Sequence, residues 1–211
     1  MSAAAALAVA APGAVADGPF IAERAWFDRS AAEVAPDLLG ALLIHDTPEG
    51  RIAGRIVEVE AYLGPEDLAA HSARGTTPRN AVMFGPPGHL YVYLVYGMHH
   101  CANVVCGPGT KPEAVLLRAA ALTEGEELAR SRRGSVPFAR LAAGPGNLAS
   151  AFGIDRRLNR ADLLSGPVRL AHGLAPSSVE STPRIGVGYA GDWMARPLRF
   201  VVRDDPHRSR P

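Results

Sequence analysis

The sequence predicts an α+β fold: one compact domain around an antiparallel β-sheet. Three observations lead there. The chain has 211 residues, 47% of them hydrophobic, enough for one domain with a buried core. Strand-like runs follow one another through short turns instead of alternating regularly with helices, which argues against βαβ units. No segment repeats. The domain is expected over residues 19–205. Residues 1–18 read as an Ala-rich leader, expected to be disordered, and residues 206–211 as a short tail. The leader lacks the basic start of a secretory signal: its first charged residue is Asp17, and the first cation is Arg24.

Order is expected from near Phe20. Residues 32–38 read as a helix leading into an apolar strand at 39–44, with a turn at Asp46-Thr-Pro-Glu-Gly50. Residues 51–62 read as a strand. Val57, Val59 and Ala61 fall on one face, and Ile56, Glu58, Glu60 and Tyr62 on the other. Gly64-Pro-Glu-Asp67 is expected to open a short helix ending near His71, with acids in its first turn. Residues 73–87 are a loop rich in Gly, Pro, Thr and Arg. Residues 90–95 form a second strand, Gly97 a turn, and residues 103–105 the return; residues 114–122 are a further apolar strand. Thr123 then caps a helix, with Glu126 three residues on in a capping-box pattern. Gly144-Pro-Gly146 opens another helix over residues 147–152, and residues 184–202 read as strands around a Gly-rich turn.

A formal net charge of +1 does not advertise a nucleic-acid partner. Lys111 is the only lysine among 22 cationic residues, so phosphate contacts would fall to arginine forks and backbone amides. Cys101 and Cys106 are too few for a disulfide framework, and no apolar run is long enough to span a bilayer. A cytoplasmic location is expected. His99, His100 and the two cysteines raise a metal site. The odd spacing of the cysteines would turn them to opposite faces of a strand, and no metal or other cofactor is expected. Phosphate-loop, dinucleotide and nucleophile-elbow patterns are absent.

Glu60 is the first catalytic candidate. A carboxylate beside an aromatic on a half-buried strand is costly unless it is used or paired, and such a group can be tuned for proton transfer. Glu58 and Glu60 could equally line a solvated face, and from this segment alone that reading is the stronger. The tyrosines shift the balance. Of five, Tyr91, Tyr93 and Tyr96 fall within six residues and Tyr62 lies two from Glu60. Tyrosine stacks on a base, and at a hairpin tip it can wedge between base steps. Strand preference and sheet packing also explain Tyr91, though less readily Tyr96 at a turn. His71, Asn103 and Arg118 interrupt or border the same apolar elements and need partners; Glu60 is a candidate partner for Arg118.

The run Arg55-Ile-Val-Glu-Val-Glu-Ala-Tyr-Leu-Gly-Pro-Glu-Asp67 with His71 resembles the alkyladenine (3-methyladenine) DNA glycosylase family. So do Thr77-Pro-Arg-Asn80 with Met83-Phe84, and Gly88-His-Leu-Tyr-Val-Tyr-Leu-Val-Tyr-Gly-Met98 followed by Asn103 and Val115-Leu-Leu-Arg118. The motifs Arg184-Ile-Gly-Val-Gly188, Trp193 and Arg196-Pro-Leu-Arg-Phe200 complete a match over roughly residues 22–203. The resemblance implies a curved sheet with flanking helices and a protruding β-hairpin. It implies a repair enzyme of the cytoplasm, at the nucleoid of a bacterium. Lys111, the only side-chain amine, lies in the loop at 107–112, so a monofunctional enzyme that hydrolyses without strand cleavage is expected, and nothing in the sequence demands more than a monomer. Its partner would be double-stranded DNA containing a damaged purine. 3-Methyladenine and 7-methylguanine are the expected lesions, with ethenoadenine and hypoxanthine as further candidates.

By the same resemblance, Glu60 activates the attacking water, and Arg118 holds that water together with the backbone carbonyl at Ile185. Tyr62, His71 and Tyr93 enclose the flipped base, and Asn103 helps reject guanine's exocyclic amine. Tyr96 fills the gap in the duplex, and Met98, His99 and Arg79 contact DNA. Three departures affect affinity and lesion preference: a shorter loop between His71 and Pro78 than in vertebrate members, Tyr189 where those often carry histidine, and Asn147 where they place a basic residue. A non-catalytic base-stacking module would keep Tyr93 and Tyr96 but need neither Glu60 nor Arg118.

Overall fold

In the computed structural model, which describes residues 18–210, the sheet is built on one long strand flanked by shorter ones. The expected leader lies outside the described residues, save Gly18. In chain order the main elements are α1 (Ala31–Leu38), β1 (Leu42–Thr47), β2 (Gly50–Tyr62), β3 (Leu90–Val95), β4 (His99–Cys106), β5 (Glu113–Glu124), α2 (Glu126–Arg133), α3 (Pro145–Phe152), β6 (Val168–Ala171), β7 (Val179–Thr182) and β8 (Arg199–Val202). Every pairing among them is antiparallel, in the order β3-β4-β5-β2-β1-β6, with β8 joined to β2 and β7. Sheet and helices share one main core, so the α+β single-domain expectation holds.

The helices follow local rules. Ser30 caps α1 in a reciprocal capping box with Glu33, and Ala31, Val34, Ala35 and Leu38 form its buried stripe. α2 starts differently from expectation. Thr123 lies inside β5, and the residue before the helix is Gly125 at φ 79° with no side-chain cap. A Cβ at Gly125 would stand 2.6 Å from the Arg51 carbonyl oxygen, so close strand packing there requires glycine.

The expected helix after Gly64 is not formed. Asp67 spends its carboxylate on the backbone amides of Leu63 and Ala69 and on Arg184, and only a short 3-10 turn follows, His71–Arg74. In residues 184–202 only β8 is a strand, and it pairs with the earlier β7. Residues 184–198 instead loop over the carboxylate face of β2. Beyond residue 205 the chain folds back on the domain: Ser209 bonds Glu58, and Arg140 donates to the carbonyls of Arg208 and Ser209.

Strict alternation also fails on β2, for a reason that builds the site. The pairing with β5 slips three times, once between Ala53 and Gly54 and then at two adjacent points, between Ile56 and Glu58 and between Glu58 and Val59. Val57 is the extra residue on β2, and Arg118 the extra residue on β5. Ile56, Val59 and Ala61 therefore pack together in the main core. Val57 joins Ala119 and Ala121 in a separate cluster. At the same point β2 exchanges one neighbour for another: residues 50–55 pair with β1, and residues 58–60 with β8.

Candidate active site

The double bulge turns Glu58, Glu60 and Tyr62 away from the main core and swings Arg118 across them. Both carboxylates are fully buried, with side-chain exposure of 0%. Glu60 is held at three points. Its Oε1 accepts from the amide of Ile185 at 2.7 Å and pairs with Arg118 at 3.3 Å; its Oε2 accepts from the Tyr62 hydroxyl at 2.9 Å. Glu60, the candidate partner for Arg118, does pair with it, and Arg118 makes a shorter bond to Glu58, at 2.6 Å from Nε. Glu58 also accepts from Arg199 Nε at 2.9 Å and from the amide and hydroxyl of Ser209 at 2.6 and 2.7 Å. Two buried acids thus face two buried arginines. Burial pushes the Glu58 carboxyl up, but Arg118 and the two bonds from Ser209 outweigh it and hold it below the usual range.

In front of this network lies a cavity of about 500 Å³, within the size range of small-molecule sites. Tyr62, His71, Arg79, Tyr93, Tyr96, Asn103, Arg118 and Ile185, all sequence candidates, line it. Glu60 does not; it sits one layer behind Tyr62, Arg118 and Ile185. Met98 and His99 line a separate, larger groove of about 1050 Å³ with residues of α2 and α3.

The walls of the cavity are aromatic. His71 meets Tyr93 edge-on at 4.5 Å between ring centres, Tyr91 and Tyr93 lie 5.2 Å apart, and the Arg79 guanidinium sits 4.8 Å over the Tyr93 ring. His71 Nδ1 contacts the Tyr91 hydroxyl at 2.9 Å. Burial, aided by Arg79, lowers the His71 pKa to about 4, so the imidazole is neutral at pH 7. Burial pushes the Tyr91 phenol up to about 12 and drives Tyr62 and Tyr93 well above their ordinary value. Asn103 spends an amide proton on the carbonyl of Tyr91 at 3.0 Å, which fixes its orientation on the cavity wall.

Tyr96 stands at the tip of the β3–β4 hairpin. It is 90% exposed and has a backbone φ of 52°, which a bulky residue adopts only at a cost. The odd spacing of the cysteines has the expected effect: Cys101 lines the cavity while Cys106 packs in the main core. Among the described residues, no group of three or more His, Cys, Asp and Glu is placed to hold a metal ion, and no helix is long and apolar enough to cross a membrane.

Sequence reasoning missed Arg199, Ser209 and the Asp67–Arg184 pair. An arginine heading the apolar strand Arg199–Val202 carried the same signal as Arg118. Ser209 carried none, because its role comes from a long-range return of the chain.

The family model for methylpurine-DNA glycosylases matches residues 25–206. A relative from Streptomyces avermitilis is 50% identical over 189 residues, covering 87% of this chain and 88% of that protein. One from Methanocella arvoryzae is 48% identical over 188 residues (87% and 92%), and one from Myxococcus xanthus 46% over 187 (88% and 91%). All three bear the provisional name 3-methyladenine DNA glycosylase. A match of this extent, over the elements that build the cavity and the network behind it, shows that the chain belongs to the methylpurine-DNA glycosylase family.

Proposed function

We propose that this protein is a monofunctional DNA glycosylase that takes an alkylated purine out of the duplex and hydrolyses its bond to the sugar. The observation that carries the reading is the juxtaposition of a tyrosine-walled cavity with a carboxylate, Glu60, held immediately behind it. Tyr62, His71 and Tyr93 enclose the extruded base. Alkylation of 3-methyladenine or 7-methylguanine makes the base cationic; aromatic faces attract it, and a neutral His71 does not repel it. The Asn103 side chain and the cavity shape restrict which purines enter. Tyr96 takes the place left in the stack and offsets part of the cost of extrusion. Arg79, Met98 and His99 contact the DNA around it.

For the chemistry, a water oxygen bonds to the sugar C1′ as the C1′–N bond breaks. The bonding pair leaves with the base, which departs neutral. Glu60 takes the water proton, and Arg118 and the backbone at Ile185 hold the water. Strand cleavage through a Schiff base would need a free amine. Lys111, the only lysine, is bound to Glu113 at 2.9 Å and Glu66 at 3.5 Å, and its bond to Glu113 raises its pKa. All the groups named come from one chain, so a monomer suffices.

The test is incubation of wild type and Glu60→Gln with duplex DNA carrying one 7-methylguanine, in chelator. Wild type is expected to release free base and leave an intact, alkali-labile strand, while E60Q binds and releases none. Binding without release by either protein would replace this reading with a non-catalytic base-stacking module.

A further inference from the structure

We infer that Glu58, anchored through Ser209 by the C-terminal segment, is a positioning residue that draws Arg118 away from Glu60 and so keeps Glu60 able to accept a proton. This inference rests on the reading of Glu60 as the base. Arg118 has donors for both acids but divides them unequally. Nε gives Glu58 a 2.6 Å bond, one terminal nitrogen reaches the Ser209 hydroxyl at 3.2 Å, and the other approaches Glu60 only as a 3.3 Å ion pair. The hydrogen bonds that Glu60 accepts come from neutral donors, the Tyr62 hydroxyl and the Ile185 amide.

The distinction matters because an arginine beside a carboxylate lowers its basicity, and a short charge-assisted hydrogen bond from the same arginine lowers it further. A general base works best when its pKa is near the working pH. Glu58 is bound so firmly that it keeps the arginine: it accepts four hydrogen bonds, two of them from Ser209. Ser209 is in turn fixed by Arg140, which donates to the carbonyls of Arg208 and Ser209, and by Arg199, which donates to the carbonyl of Arg210. Arg208, Ser209 and Arg210 lie past the region that the family model matches, which ends at residue 206, while Arg140 and Arg199 lie within it.

The charged and titratable groups around Glu60 come from five places. They are Glu58 and Tyr62 on β2, Arg118 on β5, Cys101 on β4, Arg199 opposite Glu60 on β8, and Arg184 in the loop that leads into β8, over the Tyr62 ring. Of the acids in this set only Glu58 competes with Glu60 for Arg118.

The test is the pH profile of single-turnover release of 7-methylguanine from duplex DNA. This lesion is already cationic, so substrate protonation does not distort the acid limb. In Glu58→Gln the arginine is free to turn to Glu60, and a nearby negative charge disappears. The acid limb is expected to move down by about one pH unit and the plateau to fall about tenfold. Ser209→Ala keeps the Glu58 charge but removes an acceptor from Arg118. It is expected to move the limb the same way by less, and it supplies the reading if E58Q does not fold. An acid limb at the wild-type position in the folded variants overturns the inference. Glu60→Gln is run in parallel. Release by E60Q with a wild-type acid limb removes the underlying assignment of the base instead.

Discussion

The Tyr62 hydroxyl donates a 2.9 Å hydrogen bond to Oε2 of Glu60, and its phenol is held neutral by burial. One of the two oxygens of the acid is therefore closed off by the residue proposed to face the base. Tyr62→Phe keeps the aromatic face and frees that oxygen for water. It is expected to retain excision within about tenfold of wild type and to lose about 1 kcal/mol of stability. Single-turnover kinetics and thermal melting check both. A Y62F protein as inactive as E60Q would show that the hydroxyl takes part in the reaction and does not merely occupy the carboxylate.

At the hairpin tip, stability and activity should separate. Tyr96 is 90% exposed and holds φ at 52°, a conformation that costs a non-glycine residue about 1 kcal/mol or more. Tyr96→Gly relieves that cost, partly offset by the greater freedom of glycine in the unfolded chain. The melting temperature is expected to hold or rise slightly, while base release from duplex DNA falls by about 5- to 150-fold, for loss of stacking worth about 1–3 kcal/mol. Release from a single-stranded oligonucleotide should fall much less. Equal losses on both substrates would contradict a wedge that acts on the duplex.

The aromatic and polar lining of the cavity was legible in the sequence, because tyrosines crowded on one hairpin and single polar residues in apolar strands are local signals. The network behind it was not. Val57 and Arg118 are extra residues at two successive register slips, and a period-2 reading cannot register them. The slips place Ile56 with Val59, and Arg118 across Glu58 as well as Glu60. Asp67 read as a first-turn helix acid because its true partner, Arg184, lies 117 residues away. Ser209 was hidden for the same reason, 151 residues from Glu58.

Acidification should weaken the fold through His71. An unfolded histidine titrates near 6.5, whereas His71 in the folded chain titrates at about 4. Between these values the unfolded chain binds more protons, so this contribution is full above pH 6.5 and is lost as pH falls towards 4. The loss amounts to at most about 3 kcal/mol. His71→Gln does not titrate, so the stability difference between wild type and variant should shrink over that window. His45, also lowered by burial, is present in both proteins and cancels. Denaturant unfolding at pH 7 and pH 4.5 measures the change. A difference independent of pH would mean that the folded imidazole is as easily protonated as the unfolded one.

Tyr62 rests on a second buried pair whose loss should act on the fold before the chemistry. Asp67 and Arg184 are both fully buried and joined by two hydrogen bonds, one of them 2.8 Å long. The Arg184 guanidinium lies 4.6 Å over the Tyr62 ring and also donates to the Ala61 carbonyl at 2.9 Å. Asp67→Asn leaves the arginine charge in place without its counter-ion and weakens the bonds from the Leu63 and Ala69 amides. A loss of about 3–5 kcal/mol in unfolding free energy is expected. Arg184→Met combined with Asp67→Asn removes both charges and should recover part of it, because the unpaired buried ion is the main penalty. Denaturant melts of the two single variants and the double one give the coupling directly. If the double variant is no more stable than Asp67→Asn alone, the ion pair is not what holds this loop against β2.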